Sequence, residues 1–108
     1  MKIEVKTENL LKCLQSVIGV VERKQTMPIL ANVLVNVVDE KLSITATDLE
    51  VELISTTTVS STENGSFTLP GRKLLDICRA LPVTSDLTLQ QDDSKISISS
   101  KRSKFSLS

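Results

Sequence analysis

The chain has 108 residues, with 13 basic and 13 acidic side chains and a formal net charge of zero. That length suits one domain with a modest core, and a hydrophobic fraction of 40% is too high for a disordered chain. There is no His, Trp or Tyr, which removes Ser–His and Cys–His catalysis and every His-ligated metal site. With only Phe67 and Phe105 as aromatics, the core must be aliphatic and base stacking on aromatic side chains is nearly excluded. Two cysteines are too few for a disulfide scaffold or a four-ligand zinc site. No apolar run approaches membrane-spanning length, and Met1-Lys2-Ile3-Glu4 has no signal-peptide pattern, so a cytoplasmic protein with reduced thiols is expected. Zero net charge argues against a nucleic-acid partner only if the charges are evenly mixed.

Ile3 and Val5 alternate with charged residues and predict an opening strand. Thr7 is placed to cap a helix, with Glu8 favourable in its first turn. Leu10, Leu11, Leu14, Val17, Ile18 and Val21 recur at spacings of three and four and mark one apolar helix face. Lys12, Gln15, Ser16 and Gly19 fall on the other. Glu22 to Met27 reads as a polar loop, and Pro28 bars further helix. Ile29 to Val38 reads as a strand covered on both faces, followed by a turn at Asp39-Glu40-Lys41. Leu42, Ile44 and Ala46, then Leu49, Val51 and Leu53, alternate with polar residues as two half-buried strands. Asp48, Glu50 and Glu52 then share one side of a strand, as a solvated face. Asn64-Gly65 is a hairpin turn signal. A strand from about Ser66 to Leu69 runs into Pro70-Gly71 and a second helix, with Leu74, Leu75, Ile77, Cys78 and Leu81 on its apolar side and Pro82 at its end. Leu87 and Leu89, Ile96 and Ile98, and Phe105 and Leu107 mark three last strands.

An internal repeat organises these elements. The segment from Val5 to Leu14 resembles that from Leu69 to Cys78 at an offset of 64, and Lys41–Thr45 resembles Lys95–Ser99 at an offset of 54. Carrying the second offset on sets Val51 against Phe105 and Leu53 against Leu107. It also sets Asp48, Glu50 and Glu52 against Arg102, Lys104 and Ser106, giving equivalent strands opposite charge. Each half reads strand, helix, then three strands. The expected fold is therefore α+β: two β-α-β-β-β halves about a pseudo-twofold axis, with both helices on one face of the sheets. Cys13 and Cys78 fall on apolar helix positions, where a thiol acts as a small hydrophobe.

Segmenting the charge changes its meaning. Residues 1–38 carry net +2, residues 39–64 net −5 and residues 65–108 net +3. Lys12, Lys24, Arg72 and Arg79 could form a duplex-facing helix surface, kept polar and short by Gln15, Ser16 and Gly19. Such contacts go to phosphates and carry no sequence specificity. On the last strand, Arg102 and Lys104 alternate with Phe105 and Leu107. That pattern fits a solvated face, an edge guarded by lysines, or an edge built to join another sheet with apolar anchors and charge selection. No Gly-rich phosphate loop, metal-spaced carboxylate set or CxxC pair occurs.

In combination, Met27-Pro28-Ile29-Leu30-Ala31-Asn32, Leu42 to Glu50 with Thr47-Asp48-Leu49-Glu50, Leu69-Pro70-Gly71-Arg72-Lys73 through Asp76-Ile77-Cys78-Arg79, and Arg102 to Ser108 resemble the bacterial DNA polymerase III beta subunit family of replicative sliding clamps. The resemblance spans the chain in order. It implies the DNA-clamp fold, with sheets outside and helices lining a DNA channel. It further implies a non-enzymatic processivity factor that encircles duplex DNA as a head-to-tail homodimeric ring and tethers the polymerase. Residues 1–108 would be the first domain, truncated at its C-terminal end, with domains two and three absent. The polymerase catalytic subunit and clamp loader would bind through those missing domains. By family position, Lys24 and Arg72 are the foremost DNA contacts. Lys73, Arg102, Lys104, Phe105 and Leu107 fall at the subunit interface. No cofactor, metal or membrane is implied. The alternative is a non-enzymatic protein-interaction module that uses the basic Phe105 edge strand. The isolated chain is expected to be a monomer, because the acidic surface complementary to that edge would lie on a missing domain.

Overall fold

In a computed structural model of the chain, residues 2–23, 31–61, 63–93, 95–101 and 103–107 are described, with Glu22 and Arg23 as backbone only. In chain order the elements are β1 (Lys2–Lys6), α1 (Thr7–Arg23), β2 (Asn32–Val38), β3 (Lys41–Thr47), β4 (Glu52–Thr58), β5 (Ser60–Ser61), β6 (Gly65–Pro70), α2 (Gly71–Ala80), β7 (Asp86–Asp92), β8 (Lys95–Ser99) and β9 (Lys104–Leu107). They form two antiparallel sheets, ordered β4-β3-β2-β6 and β5-β1-β7-β8-β9.

The expected repeat is present, and its halves are interlocked. The first strand of each half pairs with the sheet of the other: β1 with β7, and β6 with β2. Ile3 faces Leu89 and Val5 faces Leu87, while Phe67 faces Val35 and Leu69 faces Val33. Both pairings respect the sequence offsets of 64 and 54. The helices begin at the equivalent residues Thr7 and Gly71. Neither half can leave without stripping a strand from the other, so one core serves both.

That core is aliphatic, as composition requires. Val33, Val35 and Val37 on β2, Leu42, Ile44 and Ala46 on β3, and Leu69 on β6 are buried on one face of the four-stranded sheet. Both helices contact that sheet and pack against each other, so they share its inner side. Leu10, Cys13, Leu14, Val17, Val20 and Val21 of α1 and Leu74, Leu75 and Cys78 of α2 complete the core. Gly71 marks the tightest approach. A Cβ there would lie 2.9 Å from Cγ1 of Val33 and 3.5 Å from Cδ1 of Ile18. Val33 is fully buried and stiff at χ1, so it cannot give way easily. Glycine lets the start of α2 wedge between β2 and α1.

Several local expectations are corrected. Thr7 is the first helical residue, and its buried hydroxyl lies 2.7 Å from Ser85 Oγ, tying α1 to the segment after α2. Helix α1 continues through Glu22 and Arg23, where a loop was expected; the rest of the expected loop lies outside the described residues. Strand β2 starts at Asn32 and is one-sided: Leu34 and Val38 are 41% and 47% exposed on its outer face. Asp39 and Glu40, both at positive φ (50° and 65°), form a two-residue turn, and Lys41, expected within the turn, instead opens β3 opposite Val38. An Asp39 N–H bond to Asn64 Oδ1 (2.8 Å) and a Val59 N–H bond to Glu40 O (2.9 Å) hold that turn from outside. Asn64-Gly65 is therefore no hairpin turn. It bridges β5 and β6, which belong to different sheets, and Asn64 spends its side chain on the neighbouring turn.

The largest correction lies between β3 and β4. Asp48, Leu49, Glu50 and Val51 form a turn where a strand was expected. Asp48 is buried, and its Oδ1 accepts the N–H groups of Glu50 (3.0 Å) and Val51 (2.8 Å). Thr47 Oγ1 accepts the Leu49 N–H and donates to Val51 O, each at 3.0 Å. These bonds hold Leu49 at φ 79° with 70% of its surface exposed. The β3–β4 hairpin is four residues longer than the β8–β9 hairpin, because β3 and β4 pair on through Ala46–Leu53 and Thr47–Glu52 where the β8–β9 ladder ends at Ser99–Lys104, so the offset of 54 lapses beyond β3. Ile44 faces Ser55 where Ile98 faces Phe105, and Thr45 faces Ile54 where Ser99 faces Lys104. Phe105 therefore corresponds to Ser55, and Lys104 to Ile54. The expected match of Glu50 to Lys104 does not hold, and the two edge strands are not mirror images in charge.

Candidate functional site

Two surfaces gather the residues singled out in the sequence. The first is the outer side of the helix pair. On α1, Lys12, Gln15, Ser16 and Gly19 are all exposed and lie three or four residues apart, as expected. On α2, Arg72, Asp76 and Arg79 form one exposed stripe opposite Leu74, Leu75 and Cys78. Lys24 lies outside the described residues.

Among the described residues, an ion pair a turn apart lies on each helix, and the repeat inverts it. Glu8 and Lys12 meet at 3.4 Å in α1; Arg72 Nε and Asp76 meet at 3.8 Å at the equivalent positions of α2. Both pairs are exposed, so each contributes a few tenths of a kcal/mol (~0.3–0.5). Their polarity differs in meaning. Glu8 near the N-terminus of α1 agrees with the helix dipole, whereas Arg72 near that of α2 opposes it. The first turn of α2 holds no acid, and its N-cap residue Pro70 supplies no side-chain bond. Arg72 and Lys73 thus stand in the first turn of a helix that has no acid there, an arrangement that disfavours the free helix and suits an approaching anion. The spacing of Glu8-Lys12 and Arg72-Asp76 follows the offset of 64, with acid first in α1 and base first in α2.

Gly19 adds to the same picture. A Cβ at this position meets nothing within 4 Å. No packing demand explains a glycine in mid-helix, where it costs about 1 kcal/mol against alanine. It keeps the exposed face of α1 low.

The second surface is the β9 edge. Lys104 is exposed, while Phe105 and Leu107 are half-buried and rest against the core. Only part of each apolar side chain is therefore available to a partner. Lys73 is exposed on α2, a turn before half-buried Ile77, on a stripe separate from Arg72. Arg102 lies outside the described residues. Asp48, Glu50 and Glu52 do not share a strand face: Asp48 is buried in the turn, and only Glu52 lies in β4. Among the described residues, no group of three or more Cys, Asp or Glu could hold a metal ion, and no helix is long and apolar enough to cross a membrane.

Both cysteines are free and buried in the core, as the repeat predicted. Burial pushes the Cys78 thiol up to about 12. An unfolded thiol ionises near ~8.5. Above that value the unfolded chain releases the proton first, so stability falls as pH rises from there towards the folded value. We expect a thiol reagent at about pH 8 to label neither cysteine in the folded chain and both in denaturant. The midpoint of urea unfolding should fall more steeply at alkaline pH than in Cys78→Ala. Fast labelling of the native chain would contradict this burial.

Known proteins share this arrangement. The family described as DNA polymerase III beta subunit, N-terminal domain, matches residues 1–108. The chain is 47% identical over 108 residues to the beta sliding clamp of Haemophilus influenzae, covering 99% of this chain and 30% of that protein. The crystal structure of the DNA polymerase III subunit beta from Pseudomonas aeruginosa superposes with a TM-score of 0.93 at 43% identity, covering all of this chain and 30% of that one. The Caulobacter crescentus pol III beta structure gives 0.94 at 39% identity, covering 99% and 29%. The chain thus spans about a third of the length of these relatives. On the full-length family match, the interlocked α+β repeat and the close superposition, the chain belongs to the DNA polymerase III beta subunit family, as its N-terminal domain.

Proposed function

We propose that this chain forms the first domain of a bacterial sliding clamp. In this reading the full-length protein is a cytoplasmic, head-to-tail homodimeric ring that encircles duplex DNA and tethers the replicative polymerase. It has no catalytic residues of its own. The polymerase catalytic subunit and the clamp loader bind through the other domains. The α1 and α2 faces look into the channel, where Lys12, Lys24, Arg72 and Arg79 meet phosphates. Lys73, Arg102, Lys104, Phe105 and Leu107 join the partner subunit along the β9 edge.

The observation that carries this reading is the helix pair. Its outward side is polar and low at Gly19, and at the start of α2 it sets Arg72 against its own helix dipole. Few phosphate contacts suffice, because enclosure rather than affinity retains a ring on DNA. Weak, non-specific contacts also leave the ring able to slide.

The test is a salt series of DNA binding by the full-length protein and its Lys24→Ala/Arg72→Ala variant, with retention on circular DNA as a second readout. Each lost phosphate contact should lower the salt slope by about 0.9, so a fall of about two is expected, with the ring still assembled. If neither slope nor retention changed, the helix face would not be the DNA surface, and the protein-interaction module using the Phe105 edge would be favoured.

A further inference from the structure

The chain has four asparagines, at positions 9, 32, 36 and 64, and only Asn64 precedes a glycine. The side-chain carbonyl carbon of an asparagine lies within reach of the next backbone nitrogen, and a glycine there has no Cβ to hinder attack. Asn9, Asn32 and Asn36 precede Leu or Val, and all three lie inside α1 or β2. Asn64 lies outside every helix and strand. It is exposed, beside an open cleft lined by Asp39, Glu40, Ser61 and Glu63, so water reaches it. Two contacts hold the reacting atoms apart. Asn64 Oδ1 accepts the Asp39 N–H at 2.8 Å, and Gly65 opens β6 opposite Val37. Attack requires the Asn64 side chain to leave Asp39 and the head of β6 to loosen from β2. Gly65 is not at positive φ, so its backbone conformation does not demand a glycine.

We propose that Asn64-Gly65 is a site of spontaneous deamidation and isoaspartate formation, gated by local opening where the β2–β3 turn meets β6. The Gly65 nitrogen attacks Cγ of Asn64. A new C–N bond forms, the Cγ–NH2 bond breaks, and the amide nitrogen leaves as ammonia with the Gly65 proton. One water then opens the cyclic imide. Cleavage at Cγ leaves an aspartate at position 64; cleavage at the main-chain carbonyl leaves an isoaspartate, whose backbone is longer by one methylene. The two products differ in what they do to the fold. An aspartate keeps an acceptor oxygen for the Asp39 N–H. The extra methylene falls where the chain crosses from one sheet to the other, so the Asp39 bond and the Gly65–Val37 register are not both kept. This inference does not rest on the clamp reading, since it concerns a link within the chain.

The full-length protein is incubated at mildly alkaline pH, and conversion is followed by peptide mapping, which resolves the isoaspartyl peptide, with labelling by an isoaspartyl methyltransferase as a second readout. Asn64 should convert faster than Asn9, Asn32 or Asn36. Unfolding in urea should speed its conversion by about tenfold or more, because local opening is then no longer required. Gly65→Ala should slow conversion in urea by about tenfold or more, a comparison that does not rely on the variant folding. In the native protein, hydrogen exchange at the Asp39 amide should accelerate in the isoaspartate form and stay slow in Asn64→Asp. No conversion at Asn64, equal rates with and without urea, an unchanged rate in Gly65→Ala, or an Asp39 amide equally protected in the isoaspartate form would each overturn the assignment.

Discussion

Replacing Phe105 and Leu107 by alanine in the full-length protein is expected to weaken ring dimerisation about a hundredfold, equivalent to ~2.7 kcal/mol. The effect has two parts, because both side chains are half-buried against their own core. Their inward surface stabilises the domain, and truncation should cost it about 1–3 kcal/mol through lost apolar burial. Their outward surface is what a partner strand could cover. Two measurements separate the parts. Urea unfolding of the 108-residue double variant reads the domain term, and sedimentation of the full-length double variant reads the interface term. A Lys104→Ala variant should weaken the ring while leaving domain stability within about 0.5 kcal/mol, because Lys104 is exposed. If the full-length double variant sediments as the wild type does, the β9 edge is not the subunit interface.

Asp48→Ala should be among the most damaging single substitutions for folding. Asp48 is 4% exposed, and its carboxylate accepts two backbone N–H groups in the β3–β4 turn. Hydrogen bonds to a charged group are worth about 1.5–3 kcal/mol each, and their loss leaves the Glu50 and Val51 donors without this partner. The same bonds hold Leu49 at φ 79°, a conformation a branched side chain resists. A loss of about 2–4 kcal/mol is expected. For a domain of this size that lowers the melting temperature by roughly 10–20 °C. Asp48→Asn keeps an acceptor oxygen in place and should cost less than half as much. Calorimetry of the two variants checks this order; equal losses would mean that the charge, not the turn geometry, stabilises this site.

These residues mark where the sequence was legible and where it was not. The core helices and most strands followed from periodicity, because burial on one side of a regular element leaves a direct trace. The repeat at offsets of 64 and 54 was visible because interlocked halves need matching apolar faces. The β3–β4 turn was misread for an equally physical reason. Leu49, Val51 and Leu53 alternate with acids, but the alternation is coincidental: only Leu53 lies in a strand, while Leu49 is 70% exposed. A hydrogen-bonded turn is set by Thr47 and Asp48 side chains bonding to backbone, and such local chemistry has no periodic signature. Strand β2 was read as covered on both faces because Leu34 and Val38 are apolar. Composition cannot say which side of a strand lacks a neighbour.

The candidate site divides in the same way. The cationic residues of α1 and α2 follow from the segregation of charge, from helix periodicity and, for Arg72, from family position, since a helix fixes which side chains share a face. Their wrong-way placement at the start of α2, the open space around Gly19 and the half-burial of Phe105 needed coordinates.

By itself the sequence determined the class of the fold, its twofold repeat, an aliphatic core, and a zero net charge that hides segregated patches. These are properties of order and composition, which the chain carries with it before folding. The tertiary structure alone decided that the halves exchange their first strands, and that a β3–β4 hairpin four residues longer than β8–β9 shifts β4 out of equivalence with β9. Each of these depends on which strand lies beside which. That is a relation between distant segments, settled only when the core closes and the backbone hydrogen bonds find their partners.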